Sequence, residues 1–245
     1  MVPPTIGAVL FDIDGTLYDF EHDTAHAFRN AADWARTENP QLALELPETN
    51  FRRAQVLTSQ NLGASGAGPW EWRVHMFSQL LQTEGIVDQQ LAEGMARQYG
   101  YWRGREARLF PGVLRTLRKL RSAKVPLGVI TNGNSDLEQA GLGGYFRFVL
   151  RAWDLHLEKP DPRIFTHAIE LLGVAADQIL FVGDSPHTDI VGAKAVGMRG
   201  AWVNRLGARL PLGVPVPDYV IAEVDELLLI LGLERRRTSA PEQRS

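Results

Sequence analysis

The sequence predicts an α/β protein whose core is a doubly wound parallel sheet, with a helical segment inserted after the first strand. Three observations predict this fold class. Short apolar runs rich in β-branched residues recur along the chain, amphipathic segments separate most of them, and residues 18–105 contain no such run. Strands buried on both faces of a parallel sheet read as continuous apolar runs, and their alternation with helices is typical of doubly wound folds.

The predicted strands are too short to be helices, and no polar alternation interrupts them. We expect them to lie side by side in one buried sheet. They are AVLF at 8–11, PLGVIT at 126–131, FVL at 148–150, ILFVG at 179–183 and AWV at 201–203.

Two amphipathic segments are predicted as helices that cover this sheet. Residues 111–123 place four apolar side chains on one stripe, and Pro111 suits the first helical turn. Residues 161–174 begin with a capping aspartate followed by a proline, and they end near Gly173.

The segment 18–105 is predicted to be a helical bundle. Four stretches indicate helices, and the glycine-rich residues 63–68 indicate a loop between two of them. The last residues, 234–245, have almost nothing to bury and are predicted to be disordered. We therefore divide the chain into a core of residues 1–17 and 106–233, a helical insertion of residues 18–105, and a tail of residues 234–245.

Composition excludes several classes of protein. The chain has 245 residues, 44% of them apolar, which is enough for a substantial core. A net charge of −3 gives no electrostatic footprint for nucleic acid, and no apolar run approaches the roughly 20 residues that cross a bilayer. The absence of cysteine excludes disulfides, thiolate zinc sites and a cysteine nucleophile. We expect a cytoplasmic monomer or homodimer with no membrane or nucleic-acid partner.

The stretch DIDGT follows the first predicted strand and places two carboxylates at its carboxyl end. Asp12 and Asp14 are two residues apart, so in an extended chain their side chains point the same way and can address one bound group. Two anions this close remain charged at low cost only beside a cation. A plain turn is the alternative interpretation. An EF-hand calcium loop fits less well, because its glycine stands at the sixth position rather than the fourth.

Polar residues also follow the second predicted strand. Thr131, Asn132 and Gly133 stand at its end, and hydroxyl, amide and backbone N–H groups at such a point are suited to binding phosphate, although the same letters also describe a turn. Further along the chain, Lys159 immediately precedes the helix predicted at 161–174.

The fourth predicted strand is likewise followed by acidic residues. Asp184 comes directly after Gly183 at the strand end, and Asp189 follows five residues later. Asp189 alone could be a first-turn carboxylate that the helix dipole favours. The position of Asp184, directly after a buried strand, indicates a functional role for this residue.

These pieces, in this order, resemble the haloacid dehalogenase superfamily: DIDGT at 12–16, Thr131, Lys159 and GDSPHTD at 183–189. The resemblance covers residues 6–17 and 106–205. It implies a Rossmann-like core, and it implies that residues 18–105 form a C1-type cap that closes over the active site. We call residues 18–105 the cap from here on. The core and cap sequences also resemble those of phosphatases that act on flavin mononucleotide and N-acylneuraminate 9-phosphate.

The resemblance implies a role for each motif residue. Asp12 is the nucleophile and Asp14 the general acid and base, while Thr131 and Lys159 bind the transferring phosphoryl group. It also implies a magnesium ion held by the Asp12 carboxylate, the Asp14 backbone carbonyl and Asp184, with Asp189 supporting. Magnesium prefers such oxygen ligands.

The expected function is that of a Mg²⁺-dependent phosphomonoesterase acting through an aspartyl-phosphate. Its substrate is expected to be a small phosphorylated metabolite such as a nucleotide, flavin mononucleotide or a sugar phosphate. A phosphomutase of the β-phosphoglucomutase type shares every core motif and stays open, as does a non-catalytic phosphate-binding protein. The family's 2-haloacid dehalogenases lack the second aspartate of the first motif, so Asp14 disfavours that chemistry. Phosphonate cleavage needs a cap lysine, and residues 18–105 contain none.

Substrate choice is expected to lie in the cap, which has two stretches dense in aromatic residues and arginine. The residues proposed to face the substrate there are Trp70, Arg73 and Arg105, with His75 and Trp102 as further candidates. Asn132 and Gly133 complete the predicted substrate-binding set. His22 and His26 lie four residues apart, but a zinc site needs more ligands, so we interpret them as a solvated or hinge-side face.

Overall fold

The computed structural model of the protein describes residues 5–40, 45–62, 68–103, 105, 108–133, 135, 137–138 and 140–234. Its centre is a parallel sheet with the strand order β3-β2-β1-β4-β5-β6. The strands are β1 (Ala8–Phe11), β2 (Leu127–Thr131), β3 (Val149–Arg151), β4 (Ile179–Gly183), β5 (Arg199–Val203) and β6 (Tyr219–Ile221).

The predicted doubly wound fold is confirmed. β1 lies between two parallel neighbours, because Val9 pairs with Leu127 of β2 and with Leu180 of β4. Apolar clusters cover both sides of the sheet: Val9 and Phe11 belong to one, and alternate residues of the same strand belong to the other. β6 was not predicted. It is a three-residue edge strand whose central Val220 is 57% exposed, so it lacks a continuous buried run.

Nine α-helices are present in the described part of the chain, with short helical turns at Ala176–Gln178, Pro186–Ile190 and Val224–Glu226. The helices are α1 (Phe20–Glu38), α2 (Glu48–Leu62), α3 (Pro69–Thr83), α4 (Gln89–Trp102), α5 (Val113–Ser122), α6 (Ala152–Leu155), α7 (Pro162–Leu172), α8 (Val191–Ala195) and α9 (Leu227–Ile230). None of those that the structure describes is both long and apolar enough to cross a bilayer.

Local sequence explains where these helices begin and end. The Asp19 and Asp88 side chains accept hydrogen bonds from the backbone N–H groups of His22 and Leu91, which caps α1 and α4. Proline stands in the first turn of α3 and of α7. Gly173 ends α7 with φ 65°, a left-handed conformation that favours glycine.

Helices α1 to α4 lie within the cap and share an apolar cluster made only of cap residues, with Phe28, Phe51, Phe77 and Tyr99 in contact at its centre. The predicted glycine-rich loop, apart from Gly68, lies outside the described residues, and so do residues 235–245 of the predicted tail. Glu234 is described, and its carboxylate accepts hydrogen bonds from Arg115. The cap therefore has a hydrophobic core of its own.

Candidate active site

The carboxyl ends of β1, β2 and β4 bring the predicted motif residues to one edge of the sheet. Asp12 follows β1, Thr131 ends β2 and Asp184 follows β4. The chain turns sharply after Asp12, since the backbone N–H groups of Thr16 and Leu17 both donate to the carbonyl of Ile13. Ligands of open α/β sheets bind at this edge, near the point where the strand order reverses.

Lys159 joins the acidic residues of this edge. Its Nζ donates to Asp12 Oδ1 at 2.6 Å and to Asp189 Oδ1 at 2.7 Å, and all three side chains are buried. Burial alone would lower the pKa of Lys159, but the Asp12 and Asp189 carboxylates outweigh burial, so the pKa lies above its usual value. Lys159 is therefore a fixed cation beside Asp12.

Asn132 holds the Lys159 backbone in place. The Lys159 N–H donates to Asn132 Oδ1 at 2.8 Å, and Asn132 Nδ2 donates to the Lys159 carbonyl at 3.0 Å. Nearby, the Gly133 N–H donates to Thr131 Oγ1 at 2.9 Å. In this bond the Thr131 hydroxyl is the acceptor, so its own proton is not used and can be donated to a bound anion. Asn132 thus joins the end of β2 to the loop before α7, a role that the sequence did not indicate.

Three carboxylates at this edge could hold a metal ion. Oxygens of Asp12, Asp184 and Asp189 all lie within 4.8 Å of one another. The Thr16 hydroxyl lies 3.1 Å from Asp12 Oδ2 and 3.3 Å from Asp184 Oδ1. Burial, and then the charges of Asp12 and Asp189, raise the pKa of Asp184 to about 7. Lys159 balances only one of these carboxylates, so a divalent cation with a preference for oxygen ligands fits the set.

Glycines in the motifs allow the carboxylates to approach the backbone. A Cβ on Gly15 would lie 2.3 Å from Asp184 Oδ2, and Gly15 has φ +82°, which other residues rarely adopt. A Cβ on Gly133 would lie 1.8 Å from Asp14 Oδ2. The glycines after Asp14 and after Asn132 are therefore required by contacts with acidic side chains.

Asp14 belongs to a hydrogen-bond network rather than to the acidic cluster. Asp14 Oδ1 accepts from the Ser135 hydroxyl at 2.5 Å, and Ser135 in turn is in close contact with the Tyr18 hydroxyl. Burial, and then the charge of Asp12, raise the pKa of Asp14, while Arg103 and Ser135 oppose the rise. The environment of Asp14 therefore favours its protonated form more than water does.

Arg103 connects this network to the cap, and sequence reasoning missed it. Its Nε donates to Asp23 Oδ2 at 2.5 Å, and its Nη2 lies 3.3 Å from both the Tyr18 hydroxyl and Ser135 Oγ. The predicted Arg105 instead lies over the Tyr101 ring at 3.8 Å and donates to the Tyr101 carbonyl. Both arginines belong to the stretch YWRGR, so the sequence located the region but not the residue.

A cavity of about 630 Å³ lies between the cap and the core. Its core wall includes Asn132 and Gly133, so it opens beside the Thr131 and Asp14 side chains. Its cap wall carries the guanidinium groups of Arg73 and Arg103. Aromatic rings line it from both walls: Phe20, Trp72 and Tyr99 from the cap, and Trp153 and His156 from the core. The volume is in the usual range for small-molecule sites.

The structure places the other predicted cap residues as follows. Arg73 lines the cavity, whereas Trp70 is 41% exposed and does not line it. His75 forms a hydrogen bond with Gln79. Trp102 packs edge-on against His26, at 5.6 Å between ring centroids, and His26 and His22 are both partly buried.

Comparison with known proteins agrees with this arrangement. The family model of haloacid dehalogenase-like hydrolases matches residues 6–197. The chain is 33% identical to the phosphoserine phosphatase of Thermus thermophilus over 178 residues, 69% of this chain and 68% of that one. It is 30% identical to the phosphoglycolate phosphatase of Escherichia coli O157:H7 over 247 aligned positions, 93% of each chain. A solved 2-haloacid dehalogenase from Pseudomonas syringae pv. Tomato DC3000 superposes with a TM-score of 0.76 at 32% identity, covering 94% of this chain and 99% of that one. The family match contains every motif residue from Asp12 to Asp189.

Proposed function

Because the chain is a phosphatase of the haloacid dehalogenase-like hydrolase family, we propose that it hydrolyses small phosphate monoesters with Mg²⁺ through an aspartyl-phosphate. One observation carries this proposal: the buried Asp12 carboxylate lies 2.6 Å from the Lys159 ammonium, within a set of three carboxylates that suits a divalent cation. A dianionic phosphoryl group can approach an anionic nucleophile only where such positive charge offsets the repulsion.

Asp12 is the proposed nucleophile. One of its carboxylate oxygens forms a bond to phosphorus while the bond from phosphorus to the ester oxygen breaks. Lys159 and the Thr131 hydroxyl are the proposed donors to the phosphoryl oxygens. This role is supported by the contact of Lys159 Nζ with Asp12 and by the Thr131 proton, which the hydrogen bond from Gly133 does not use. These donors hold the group for attack and neutralise its charge.

Asp14 is the proposed general acid and base. Its raised pKa favours a proton on the carboxyl group, and this proton goes to the leaving oxygen as the ester bond breaks. The resulting carboxylate then takes a proton from the water that attacks the phosphorus of the aspartyl-phosphate, while the bond from phosphorus to the Asp12 oxygen breaks and restores the Asp12 carboxylate. The Ser135 hydroxyl fixes the orientation of Asp14 for both steps.

The carboxylates of Asp12 and Asp184 would hold the Mg²⁺, with the Asp14 backbone carbonyl, and Asp189 would support the site. When bound, this ion supplies positive charge to the phosphoryl oxygens and to Asp12. Asp189 accepts from Lys159 Nζ and from the Ser185 N–H, so it would support the site by holding the Lys159 ammonium beside Asp12.

Dehalogenation is the second candidate function, since the similar solved structure from Pseudomonas syringae is a 2-haloacid dehalogenase. That reaction displaces a halide, which needs no proton on its leaving group. The Asp14, Ser135 and Tyr18 network would then serve no purpose in catalysis. A phosphomutase would use the same core residues, and the cap would have to hold a phosphorylated sugar in two orientations.

The test is release of inorganic phosphate from 4-nitrophenyl phosphate, flavin mononucleotide, sugar phosphates, 2-phosphoglycolate and nucleoside monophosphates, with EDTA and with added Mg²⁺. We expect Mg²⁺-dependent release by the wild type, and none by Asp12→Asn. The control is Asp33→Asn, which changes an exposed aspartate of α1 and should leave turnover intact. Halide release from 2-chloropropionate without phosphate release would overturn the proposal in favour of a dehalogenase.

A further inference from the structure

Arg73, on cap helix α3, presents a guanidinium group to the cavity and has no hydrogen-bond or ion-pair partner within the described residues. Its Nε is buried and unpartnered. Burial, and then the charge of the neighbouring Arg103, lower the pKa of Arg73. A partly buried cation without a counter-charge costs free energy, and a bound anion would reduce that cost.

The two arginines of the cap wall differ in this respect. Arg103 is paired with the buried Asp23 carboxylate, so its charge is already balanced. Arg73 stands beside it without an acidic partner in the part of the chain that the structure describes. The cap wall of the cavity therefore carries one net positive charge that the protein itself does not neutralise.

The fold makes room for the Arg73 guanidinium. A Cβ on Gly100 of α4 would lie 2.5 Å from Arg73 Nη1, so the missing side chain at position 100 leaves the space that this nitrogen occupies. Two neutral polar residues of α2, Gln55 and Ser59, line the same cavity. They can add hydrogen bonds to an anion without adding charge.

Arg73 is separate from the groups proposed to bind the transferring phosphoryl group. Both residues are buried in the core: Thr131 at the end of β2, and Lys159 in the loop before α7. Arg73 belongs to α3, and no contact joins it to either of them among the described residues. It therefore faces the part of the cavity that is left for the organic portion of the ester.

We propose that Arg73 binds a carboxylate in the leaving group, so that the substrates are phosphate monoesters that also carry a carboxylate. This inference rests on the proposed function and names its substrate class. A carboxylate matches the planar guanidinium through paired hydrogen bonds. One unneutralised cation balances a monoanionic carboxylate, whereas a second phosphate dianion would need another free cation, and Arg103 is already paired.

The experiment uses two pairs of substrates that differ in one charge. The first pair is 4-carboxyphenyl phosphate and 4-carbamoylphenyl phosphate, and the second is 2-phosphoglycolate and 2-hydroxyethyl phosphate. The value of kcat/KM is measured for wild type, Arg73→Gln and Arg73→Lys. The control is Arg97→Gln, which removes an exposed guanidinium from α4 with the same change in net charge.

We expect Arg73→Gln to lower kcat/KM for the carboxylate member of at least one pair by about 10- to 100-fold, as for loss of a charged hydrogen bond. The neutral member should change by less than about threefold, which also shows that the variant folds. Arg73→Lys should retain part of the preference, and Arg97→Gln all of it. Gly100→Ala should weaken the preference too, because the new methyl group displaces Nη1.

Two results would overturn the inference. One is equal loss for charged and neutral members in Arg73→Gln, which would place Arg73 in phosphoryl binding or in folding. The other is the same ratio of charged to neutral turnover in wild type and Arg73→Gln for both pairs. Failure of the proposed function looks different: the wild type would then release no phosphate from any of these esters or from 4-nitrophenyl phosphate.

Discussion

Arg103 and Asp23 form a buried ion pair within the cap, with 2.5 Å between Nε and Oδ2. Asp23 belongs to the first turn of α1, and Arg103 follows the last turn of α4, so the pair joins the two ends of the cap where they meet the core. The same guanidinium lies 3.3 Å from Ser135, which donates to Asp14. The position of the cap and the orientation of Asp14, the proposed general acid, therefore both depend on the Arg103 side chain.

We predict that Asp23→Asn lowers the free energy of unfolding by about 3 kcal/mol, because it leaves the Arg103 charge buried without its partner. Urea denaturation measures this change. Asp33→Asn is the matched control, since Asp33 pairs with Arg36 on the exposed surface of the same helix and should cost less than about 1 kcal/mol. Equal losses in the two variants would show that the buried pair has no special role.

We predict that Asp14→Asn affects poor leaving groups most. An asparagine cannot give a proton to the leaving oxygen, so turnover of an alkyl phosphate should fall by about 10²- to 10⁴-fold. The leaving group of 4-nitrophenyl phosphate is a stable phenolate that needs no proton. For this ester, the rate of the step that forms the aspartyl-phosphate should therefore fall much less. Burst and steady-state kinetics with both esters separate that step from hydrolysis of the intermediate. An equal loss in the first step for both esters would contradict the assignment of Asp14 as the acid.

Arg205 is predicted to hold the turn that carries Asp14. Its Nη1 donates to the Gly15 carbonyl at 2.6 Å and its Nη2 to the Thr16 carbonyl at 2.9 Å, while the guanidinium lies 3.5 Å from the centre of the Phe110 ring. Arg205→Met keeps apolar contact with Phe110 but removes both hydrogen bonds.

We therefore expect Arg205→Met to lower the free energy of unfolding by about 2 kcal/mol and to reduce kcat more than it changes KM, because the turn orients Asp14 rather than binding substrate. Thermal denaturation and steady-state kinetics measure the two effects. Arg209→Met changes an exposed arginine four residues further along the chain and is the control. Native kcat in Arg205→Met would exclude the positioning role.

The acidic cluster predicts a pH dependence of metal binding. Burial, with the charges of Asp12 and Asp189, raises the pKa of Asp184 from 3.8 to about 7 in the metal-free protein. Between these two pH values the folded state holds a proton that the unfolded state releases. The metal-free protein should therefore gain stability from Asp184 as the pH falls from about 7 towards 4. Over the same range Mg²⁺ binding should weaken, because the ion needs the carboxylate.

Thermal denaturation in EDTA and Mg²⁺ titrations across this range measure both trends. Asp184→Asn is the reference, since it removes the titrating group. The difference in melting temperature between wild type and variant should change with pH, in favour of the wild type at acid pH. A difference that stays constant from pH 4 to pH 8 would show that Asp184 does not titrate in this range.

The sequence was sufficient for those parts of the protein whose cause is local. A buried strand is recognisable from a few consecutive apolar residues, and the residue after it must lie at the sheet edge, so β1, β2 and β4 locate Asp12, Thr131 and Asp184 together. The start of α7 follows from Asp161, whose side chain accepts a hydrogen bond from the Arg163 backbone N–H, and from Pro162 in the first turn. β6 was missed because its central residue, Val220, is 57% exposed, so no continuous buried run marks the strand.

Only the tertiary structure decided which cap residues face the cavity. Arg103 and Arg105 are two residues apart in one stretch, yet Arg103 pairs with Asp23, a residue 80 positions away, and Arg105 lies on Tyr101. Arg73 differs from Arg103 because it has no acidic partner among the described residues, and its Nη1 occupies the space beside Gly100. Such pairings join distant segments, and the free energy of a buried charge depends on all its neighbours, so no local pattern contains them.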